Sequence, residues 1–376
     1  MRHLPLAIKS LTLIGLASTT IIACAAPSAS MNDPKHDDPV AQAESHPQDA
    51  SDIMADVVNA RETMRRYGIA EPNPKPAGAV RLVAYNIENL FDDVDDPTLS
   101  DRNEDIDDLK PFHQRVAVAE AIRLIDADIL CMQEIESLEA LEWFRDEFLG
   151  DMGYDYIVSL DAGNARGIEN AVLSRYPLSE GKVWVGKLLG GIHPELYGTR
   201  PNRQAGEKIA FRRSPLQVDV QMPGAEGQDP WTLSLFVEHH KSGRYNSYWR
   251  EAEAKMIVQL ANEITDEHPD RAIIILGDFN AQVTDESVKI YLRSGFQDLF
   301  ANRSDEGAAI VTHESSRRID LILSNDAAMG HLLVDQAFVL GTAARPAEIN
   351  WRDLDTFMGY ASDHYPVVVD VVPSLE

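Results

Sequence analysis

Residues 272–281 read AIIILGDFNA, an apolar run of five residues followed at once by glycine, aspartate and asparagine. A short apolar run bounded by turn residues is typical of a strand that is buried on both faces. The same combination, an apolar run with polar residues at its end, recurs along the chain. It predicts an α/β domain in which the strands form the interior and the helices lie outside.

Working outward from this stretch, the remaining chain shows two periodicities. Eight further short apolar segments are predicted strands: residues 81–87, 128–132, 154–159, 170–174, 216–220, 231–237, 320–323 and 365–371. Apolar residues at helical spacing predict three helices: residues 112–125, 138–148 and 247–264. Cys131 lies within a predicted strand and is expected to be a small core residue. Roughly 300 residues of this mixture fit one domain.

Polar residues stand at the ends of six of these segments. They are Asn86 and Glu88; Glu134; His239, His240 and Lys241; Asp278 and Asn280; Asp320; and Asp363 and His364. Any one of them alone is more often a turn residue than a functional one. Their succession is informative, because the strand ends of an α/β sheet meet at one edge and ligands bind there.

Five local strings carry a family resemblance. In chain order they are LVAYNIENLFDD (82–93), CMQEIES (131–137), GDFNA (277–281), RRIDLILS (317–324) and SDHYPVV (362–368). Together they resemble the endonuclease/exonuclease/phosphatase superfamily, the DNase-I-like metal-dependent phosphoesterases, over roughly residues 80–372. The resemblance implies a four-layered α/β sandwich, with two central mixed β-sheets flanked by helices. It also implies hydrolysis of a phosphate ester.

The resemblance also implies a metal site. Negative charge accumulates on the phosphoryl oxygens during hydrolysis, and a hard cation held by oxygen ligands stabilises it. Glu134 is the first candidate ligand, with Asn86 or Glu88 beside it, and Asp363 is a candidate for a second position or a support for His364. The expected ion is Mg²⁺, with Mn²⁺ or Ca²⁺ as alternatives.

The catalytic roles are likewise carried over from the resemblance. Asp278 would orient or deprotonate the attacking water, and Asn280 would hold that water or a phosphate oxygen. His364 would stabilise the developing charge as a donor or general acid, with Asp320 fixing its tautomer. These four residues are therefore the expected catalytic core.

A further histidine is expected to contact the phosphate. Strand alternation from Leu235 and Val237 favours His239 over its neighbour His240, which would point to the opposite face. Glu169 is a candidate for orienting His239. Three cations are candidates for binding the substrate, each equally well a solvated surface residue: Arg213, Lys241 and Arg250.

The first residues predict export. Arg2 and Lys9 precede an apolar run too short to span a bilayer, as in a signal peptide. Residues 21–24, IIAC, resemble a lipobox, in which Cys24 carries the lipid; a plain secretory signal is the alternative. Ala25 favours the outer membrane. The chain is then expected to be lipid-anchored, at the periplasmic or cell-surface face, and to touch the membrane only through Cys24.

Composition divides the remaining chain into residues 24–78, rich in Ala, Pro, Asp and Ser and predicted to be a disordered tether, and a catalytic domain of residues 79–376. Within the tether, residues 53–67 have a thin apolar stripe that could form a helix. Without residues 1–23 the net charge is −29, two below the −27 of the whole chain, because that segment holds Arg2 and Lys9 and no acid. Such a charge disfavours nonspecific capture of nucleic acid but leaves phosphate chemistry open.

Three functions fit these observations. The first is an extracellular nuclease, acting as a monomer on a phosphate-ester substrate such as nucleic acid. The second is a small-molecule or lipid phosphodiesterase or phosphatase, of the sphingomyelinase or inositol-phosphate type. The third is an inactive surface binding module, which the filled polar positions disfavour. The segment 186–204 is expected to overhang the site and to influence the choice of substrate.

Overall fold

The computed structural model describes residues 50–94, 109–346 and 357–373. The predicted signal peptide and Cys24 lie outside these residues. The described helices are α1 (Ala50–Met64), α2 (Phe112–Ile125), α3 (Leu138–Phe148), α4 (Ser247–Glu267), α5 (Glu286–Arg293) and α6 (Asp326–Met329). The described strands are β1 (Val80–Leu90), β2 (Ile129–Ile135), β3 (Tyr156–Leu160), β4 (Glu169–Ser174), β5 (Leu188–Ile192), β6 (Leu196–Tyr197), β7 (Arg200–Pro201), β8 (Lys208–Ala210), β9 (Leu216–Met222), β10 (Trp231–His239), β11 (Ala272–Asp278), β12 (Gln297–Asp298), β13 (Asp320–Ser324), β14 (Phe338–Val339) and β15 (Val367–Val371).

Two mixed sheets form the centre of the domain. The six-stranded sheet has the order β14-β15-β1-β2-β4-β3, and the five-stranded sheet has the order β12-β13-β11-β10-β9. Each contains one parallel pair, β1 with β2 and β10 with β11, whereas the other pairs are antiparallel. The parallel pairs are central, so their strands are covered on both faces, as their continuous apolar sequences require.

Side-chain alternation places the cores in layers. Leu82 and Ala84 of β1 and Leu235 and Val237 of β10 belong to one apolar core that joins the inner faces of the two sheets. The outer face of the six-stranded sheet packs on α1, α2 and α3, and that of the five-stranded sheet on α4 and α5. The four-layered α/β sandwich is therefore confirmed.

The folded domain includes part of the predicted tether. Ile53 and Val57 of α1 are buried in the core beneath the six-stranded sheet, and buried Arg61 pairs with Glu120 of α2 at 3.3 Å. The helix predicted over residues 53–67 is thus confirmed as α1, and ordered structure begins before the predicted boundary at residue 79. The apolar stripe of α1 is buried because α2 supplies the opposing surface.

A region of short strands precedes β9. Strands β5 and β8 form one antiparallel pair, and β6 and β7 form a second pair between them. Leu188, Ile192 and Leu196 are more than half exposed there. Among the described residues, the search for a helix long and apolar enough to cross a bilayer finds none.

Candidate active site

The polar residues at the strand ends continue the inner faces of the two sheets. Asn86 follows Leu82 and Ala84 at alternate positions of β1, and Asp278 follows Ile274 and Leu276 at alternate positions of β11. Since alternate side chains of a strand share a face, both polar side chains point between the sheets where the apolar core ends. His239 of β10 is paired in register with Asp278, and so is Asp320 of β13. The sheets thus bring residues from four strands to one edge.

Glu134 reaches the site through an irregularity in β2. The pairing of β2 with β4 shifts register between Gln133 and Ile135, and Glu134 itself has a φ of 65°. A β-bulge of this kind redirects a side chain that regular alternation would place elsewhere. Asn280, immediately beyond β11, also has a positive φ of 48°. Unfavourable backbone conformations at non-glycine residues concentrate at functional sites.

The backbone geometry at Gly277 explains why the GDFN string begins with glycine. Its φ is +130°, and a Cβ atom at this position would lie 2.2 Å from the backbone oxygen of Glu238 on the neighbouring strand. A side chain here would push β11 away from β10 and displace Asp278. Glycine is therefore required by the close approach of the two backbones.

One carboxylate oxygen, Oδ2 of Asp278, is the centre of the site. It accepts hydrogen bonds from the amide Nδ2 atoms of Asn280 at 3.0 Å and Asn86 at 3.4 Å. The Nε2 atoms of His239 and His364 lie 3.5 and 3.9 Å from the same oxygen. Asp278 is 2 % exposed, so these neighbours surround it almost completely.

A second carboxylate fixes His364. The Nδ1 atom of His364 lies 2.8 and 3.0 Å from the two oxygens of buried Asp320. This contact directs Nε2 of the ring toward Asp278 and Asp363, whose Oδ1 is 3.7 Å away. The other oxygen of Asp363 is 3.3 Å from Nε2 of His313, whose ring meets that of His364 edge-on at 4.6 Å.

Local electrostatics gives Asp278 and His364 different proton affinities. Burial raises the pKa of Asp278 to about 6, although nearby His364 lowers it. Burial alone would lower the pKa of His364, but Asp320, Asp363 and Asp278 together raise it well above its usual range. His364 also holds the pKa of Asp363 below its usual range, against the effect of burial. A carboxylate that accepts protons near neutrality beside a protonated imidazole is an acid–base pair.

Two arginine side chains lie near His239. Its Nε2 atom contacts Nη1 of Arg213 and lies 3.7 Å from Glu134, whose carboxylate pairs with Arg166 at 3.2 Å. Burial and then Arg213 lower the pKa of His239 well below its usual range. The neutral ring therefore accepts hydrogen bonds and does not add to the positive charge of the two guanidinium groups.

His240 faces away from the site. Its Nε2 lies 3.0 Å from the hydroxyl of Tyr291 and 3.5 Å from Glu238, both fully enclosed behind the five-stranded sheet. Burial lowers the pKa of His240 to about 4. Its backbone N–H donates to the carbonyl of Asp278 at 2.9 Å. His239 is thus the histidine directed into the site, and His240 supports the strand ends.

Three predicted site residues are held by other parts of the chain. Glu88 accepts at Oε2 from the Tyr360 hydroxyl at 2.6 Å and the Asp363 amide at 3.2 Å, so this oxygen holds the segment before β15, and its role as a metal ligand beside Glu134 stays a prediction. Glu169 accepts from the hydroxyl of Ser159 and has no described contact with His239. The sequence places Glu169 at the start of a strand but cannot show which side chain stands opposite.

The third of these residues is Arg250. It is 7 % exposed, and its Nη1 donates to the carbonyls of Lys241 at 3.0 Å and Gly243 at 3.1 Å. The guanidinium therefore braces the loop after β10 and does not face a substrate. Lys241, in contrast, has a 3.5 Å contact from its ammonium group to the Ser242 carbonyl and lies over the ring of Trp249 at 6.0 Å. Burial lowers the pKa of Lys241 to about 8.

The residues present fit a divalent cation. Two groups of three described side chains have ligand atoms within 4.8 Å of one another: Asp278, Asp320 and His364, and His313, Asp363 and His364. Asn86 and Glu134 add oxygen atoms, the donors that hard cations prefer. No described lysine or arginine forms an ion pair with Asp278. A bound cation would add to the positive charge that His364 places beside this desolvated carboxylate.

Sequence reasoning missed two residues of the site. Arg166 lies in the loop before β4 and pairs with Glu134, and His313 lies before β13 and pairs with Asp363. Neither belongs to a string that resembles a family motif. Each arrives through a loop, whose path depends on tertiary contacts.

The fold and the polar strand ends together define a two-sheet α/β sandwich with a candidate acid–base centre at one edge. The chain belongs to the endonuclease/exonuclease/phosphatase family, whose model matches residues 83–364. Members of this family are hydrolases that act on phosphoester bonds. No curated protein sequence matches the chain.

Several solved structures have a similar chain path. The human Nocturnin catalytic domain with bound sulfate is 16% identical, with 79% of this chain and 95% of that chain covered and a TM-score of 0.49. An endonuclease/exonuclease/phosphatase from Bacteroides vulgatus is 17% identical, with 79% and 99% covered and a TM-score of 0.48. A mannosyl-6-phosphatase from Bacteroides thetaiotaomicron is 16% identical, with 78% and 99% covered and a TM-score of 0.48.

Proposed function

We propose that this protein is a divalent-metal-dependent phosphodiesterase that cleaves nucleic acid outside the cytoplasm. The observation that carries the proposal is the convergence of Asn86, His239, Asn280 and His364 on one oxygen of Asp278. This arrangement provides a proton acceptor, a proton donor and neutral hydrogen-bonding groups within one buried edge. Hydrolysis of a phosphate ester needs these functions together.

Glu134 and Asn86 would hold the cation, with Asp363 as a candidate for a second position. The residues offer oxygen atoms and no thiolate, so Mg²⁺ is the expected ion, and Mn²⁺ or Ca²⁺ could replace it. When bound, the cation supplies Lewis-acid stabilisation of charge on the phosphoryl oxygens. Arg166, which pairs with Glu134, keeps that carboxylate oriented toward the site.

Asp278 activates the water. Its carboxylate is ionised above the pKa of about 6 and is aligned by Asn280, whose backbone N–H and side-chain amide both donate to it at 2.8 and 3.0 Å. A water held at Oδ2 would lose its proton to Asp278 as it attacks the phosphorus atom. The asparagine amides prevent rotation of the carboxylate, so the accepting oxygen remains in place.

His364 acts on the negative charge that develops during hydrolysis. Protonated at neutral pH, it donates from Nε2 to a phosphoryl or leaving oxygen. The hydrogen bond to Asp320 keeps the other ring proton on Nδ1. Arg213, Arg166 and Lys241 lie on the side of His239 and are placed to bind the remaining phosphate oxygens. These cations lie beside the carboxylates of Glu134 and Asp278, in a chain of net charge −27. A local group of cations can attract an anionic substrate despite the global charge.

The proposed cellular setting follows from the N-terminal sequence. Residues 1–23 are proposed to direct export, and Cys24 to carry a lipid that anchors the protein to the outer membrane, at its periplasmic or cell-surface face. The protein is proposed to act as a monomer.

A substrate panel tests the activity. Plasmid DNA, RNA, sphingomyelin, inositol phosphates and bis(p-nitrophenyl) phosphate would each be incubated with Mg²⁺, Mn²⁺ or Ca²⁺, and with a chelator. The proposal predicts metal-dependent cleavage of nucleic acid and of the aryl phosphodiester. Cleavage of phosphate monoesters alone would contradict phosphodiesterase activity. Activity that persists in the chelator would contradict the metal requirement.

One structural feature favours a second candidate, a lipid phosphodiesterase. Leu188, Ile192 and Leu196 are exposed on the short strands β5 and β6, and a cluster of exposed apolar side chains can mark a contact with lipid. The sphingomyelin arm of the panel distinguishes the candidates, because a lipid enzyme would prefer vesicles to plasmid DNA. The apolar side chains are few and separated by Gly190 and Gly191, so nucleic acid remains the principal proposal.

A further inference from the structure

A cavity of about 420 Å³ lies between the short strands β6 and β7 and the first turn of α4. On the strand side it is lined by Tyr197, Arg200 and Arg203, and on the other side by Lys241 and Tyr248. No carboxylate stands among the described residues that line it. This is unusual in a chain with 61 acidic residues against 34 lysines and arginines.

The two arginines of the cavity are exposed and form no ion pair with a described carboxylate. Lys241 likewise has no described ion pair, although buried Glu253 partly offsets its charge. Nearby Arg212 is likewise without a described ion pair and lies over the ring of Trp249 at 5.9 Å. Positive charges held together without counter-charges repel one another, and a bound anion would relieve that repulsion.

Lys241 connects the cavity to the catalytic edge. It lines the cavity and follows His239 by two residues, a separation of at most about 7 Å along the chain. The backbone around it is fixed, because its N–H donates to Glu253 at 3.0 Å and its carbonyl accepts from Arg250 at 3.0 Å. An anion in the cavity would therefore share Lys241 with a phosphate bound beside His239.

The remaining lining residues supply neutral hydrogen-bonding groups. Asn202 and Gln204 lie on the strand side, whereas the Asn246 amide already donates to the carbonyl of Ser242 at 2.6 Å and holds the loop before α4. The ring of Tyr197, about a third exposed, meets Tyr245 edge-on at 5.3 Å. Amides, guanidinium groups and an accessible aromatic ring are the groups that bind a phosphate attached to a sugar or base.

We propose that this cavity binds a second phosphate of the substrate, distinct from the phosphate that is cleaved. The inference rests on the proposed phosphodiesterase activity and narrows its substrate class to molecules with at least two phosphate groups. An adjacent nucleotide of a nucleic acid strand and a multiply phosphorylated small molecule share this chemistry. Arg200 and Arg203 are the residues to substitute, because both are exposed, both line the cavity, and neither has a described hydrogen bond or ion pair with a catalytic group.

The test compares substrates that differ by one phosphate. The kcat/KM of the full protein with Mg²⁺ is measured on the thymidine dinucleotide TpT, which has one phosphate, and on the trinucleotide TpTpT, which has two. The variant is Arg200→Gln with Arg203→Gln. The control is Lys255→Gln with Lys289→Gln, which removes the same charge from exposed positions of α4 and α5.

The wild type and the control are expected to have a higher kcat/KM on TpTpT than on TpT. In the double arginine variant this ratio is expected to fall roughly tenfold, through a higher KM for TpTpT. Its kcat on bis(p-nitrophenyl) phosphate, which has a single phosphate, should stay unchanged. A preference that persists in the arginine variant, or its absence from the wild type, overturns the proposal. A loss of equal size in the control also overturns it, since net charge would then be the cause.

Competition identifies the source of the second phosphate. Thymidine 3′,5′-bisphosphate and inositol 1,4-bisphosphate are compared with their monophosphates as inhibitors of aryl phosphodiester cleavage. Stronger inhibition by either bisphosphate supports the cavity and names its occupant as nucleotide or small molecule. Equal inhibition by monophosphates and bisphosphates overturns the proposal. If no phosphodiester is cleaved at all, the proposed function fails, and calorimetry with thymidine 3′,5′-bisphosphate tests the cavity alone. About tenfold weaker binding by the arginine variant than by the wild type supports the cavity. Equal binding by the two proteins, or no detectable binding, overturns it.

Discussion

Replacing Asp320 by asparagine isolates the contribution of the imidazolium. The two oxygens of Asp320 lie 2.8 and 3.0 Å from Nδ1 of His364, and the carboxylate is the first of three that raise its pKa. Asparagine has nearly the same shape and can still accept a hydrogen bond from Nδ1. What the substitution removes is a negative charge at hydrogen-bonding distance, inside a buried site.

The size of the effect follows from that contact. A hydrogen bond to a charged group contributes about 1.5–3 kcal/mol, and each pKa unit corresponds to about 1.4 kcal/mol, so the pKa of His364 should fall by roughly one to two units. A group with a raised pKa is protonated below that pKa and loses its proton as the pH rises through it. Asp320→Asn should therefore move the alkaline limb of the kcat profile down by one to two pH units.

The assay is the pH dependence of kcat for bis(p-nitrophenyl) phosphate with saturating Mg²⁺. Below the alkaline limb the variant should approach wild-type turnover, because His364 is protonated there in both proteins. The control Asp335→Asn, at an exposed position, should leave the profile unchanged. An unshifted limb, or a uniform loss at every pH with the fold intact, would refute the assigned role of His364.

Three further predictions follow from the structure. Glu134→Gln should lower activity at low Mg²⁺ and recover part of it at high Mg²⁺, as measured by the apparent metal affinity; a loss that no metal concentration relieves would argue against metal binding by Glu134. Gly277→Ala should destabilise the fold by on the order of 3 kcal/mol, because it combines backbone strain with a clash against Glu238. Gly206→Ala, at a φ of 83° with open space around it, should cost only the backbone strain. Equal melting temperatures of the two variants would contradict this prediction. Cys24→Ser should move the protein from the membrane fraction to the soluble fraction, and unchanged membrane association would exclude the lipid anchor.

The central elements and the catalytic edge could be predicted from the sequence because both depend on local pattern. The apolar run before Asp278 indicated β11, and alternation from Leu235 and Val237 selected the face of His239. The ends of α2 and α3 were predicted to the residue, since their apolar periodicity starts and stops abruptly. A polar residue at the end of a buried strand has few positions available, so its location follows from the sheet.

Features that depend on tertiary contacts could not be predicted in this way. The packing of α1 needs the surface of α2, and the short strands β5 to β8 have no regular alternation around Gly190 and Gly191. The partners of Glu169 and Arg250 are set by neighbouring strands and loops that come from distant sequence. Long cationic side chains are especially difficult, because a buried arginine that binds carbonyls and an exposed one that binds substrate have the same local sequence.

The measurement that tests the account most directly is the turnover of bis(p-nitrophenyl) phosphate by the wild type and by Asp278→Asn, with Mg²⁺ and with a chelator. General acid–base help contributes about a hundred- to ten-thousand-fold, so Asp278→Asn and His364→Ala should each lower kcat by on the order of a thousandfold, far more than they raise KM. The double variant should lose much less than the product, because the two residues act as one unit. Wild-type turnover should also disappear in the chelator. Near-wild-type kcat in a folded Asp278→Asn protein would show that the catalytic centre lies elsewhere.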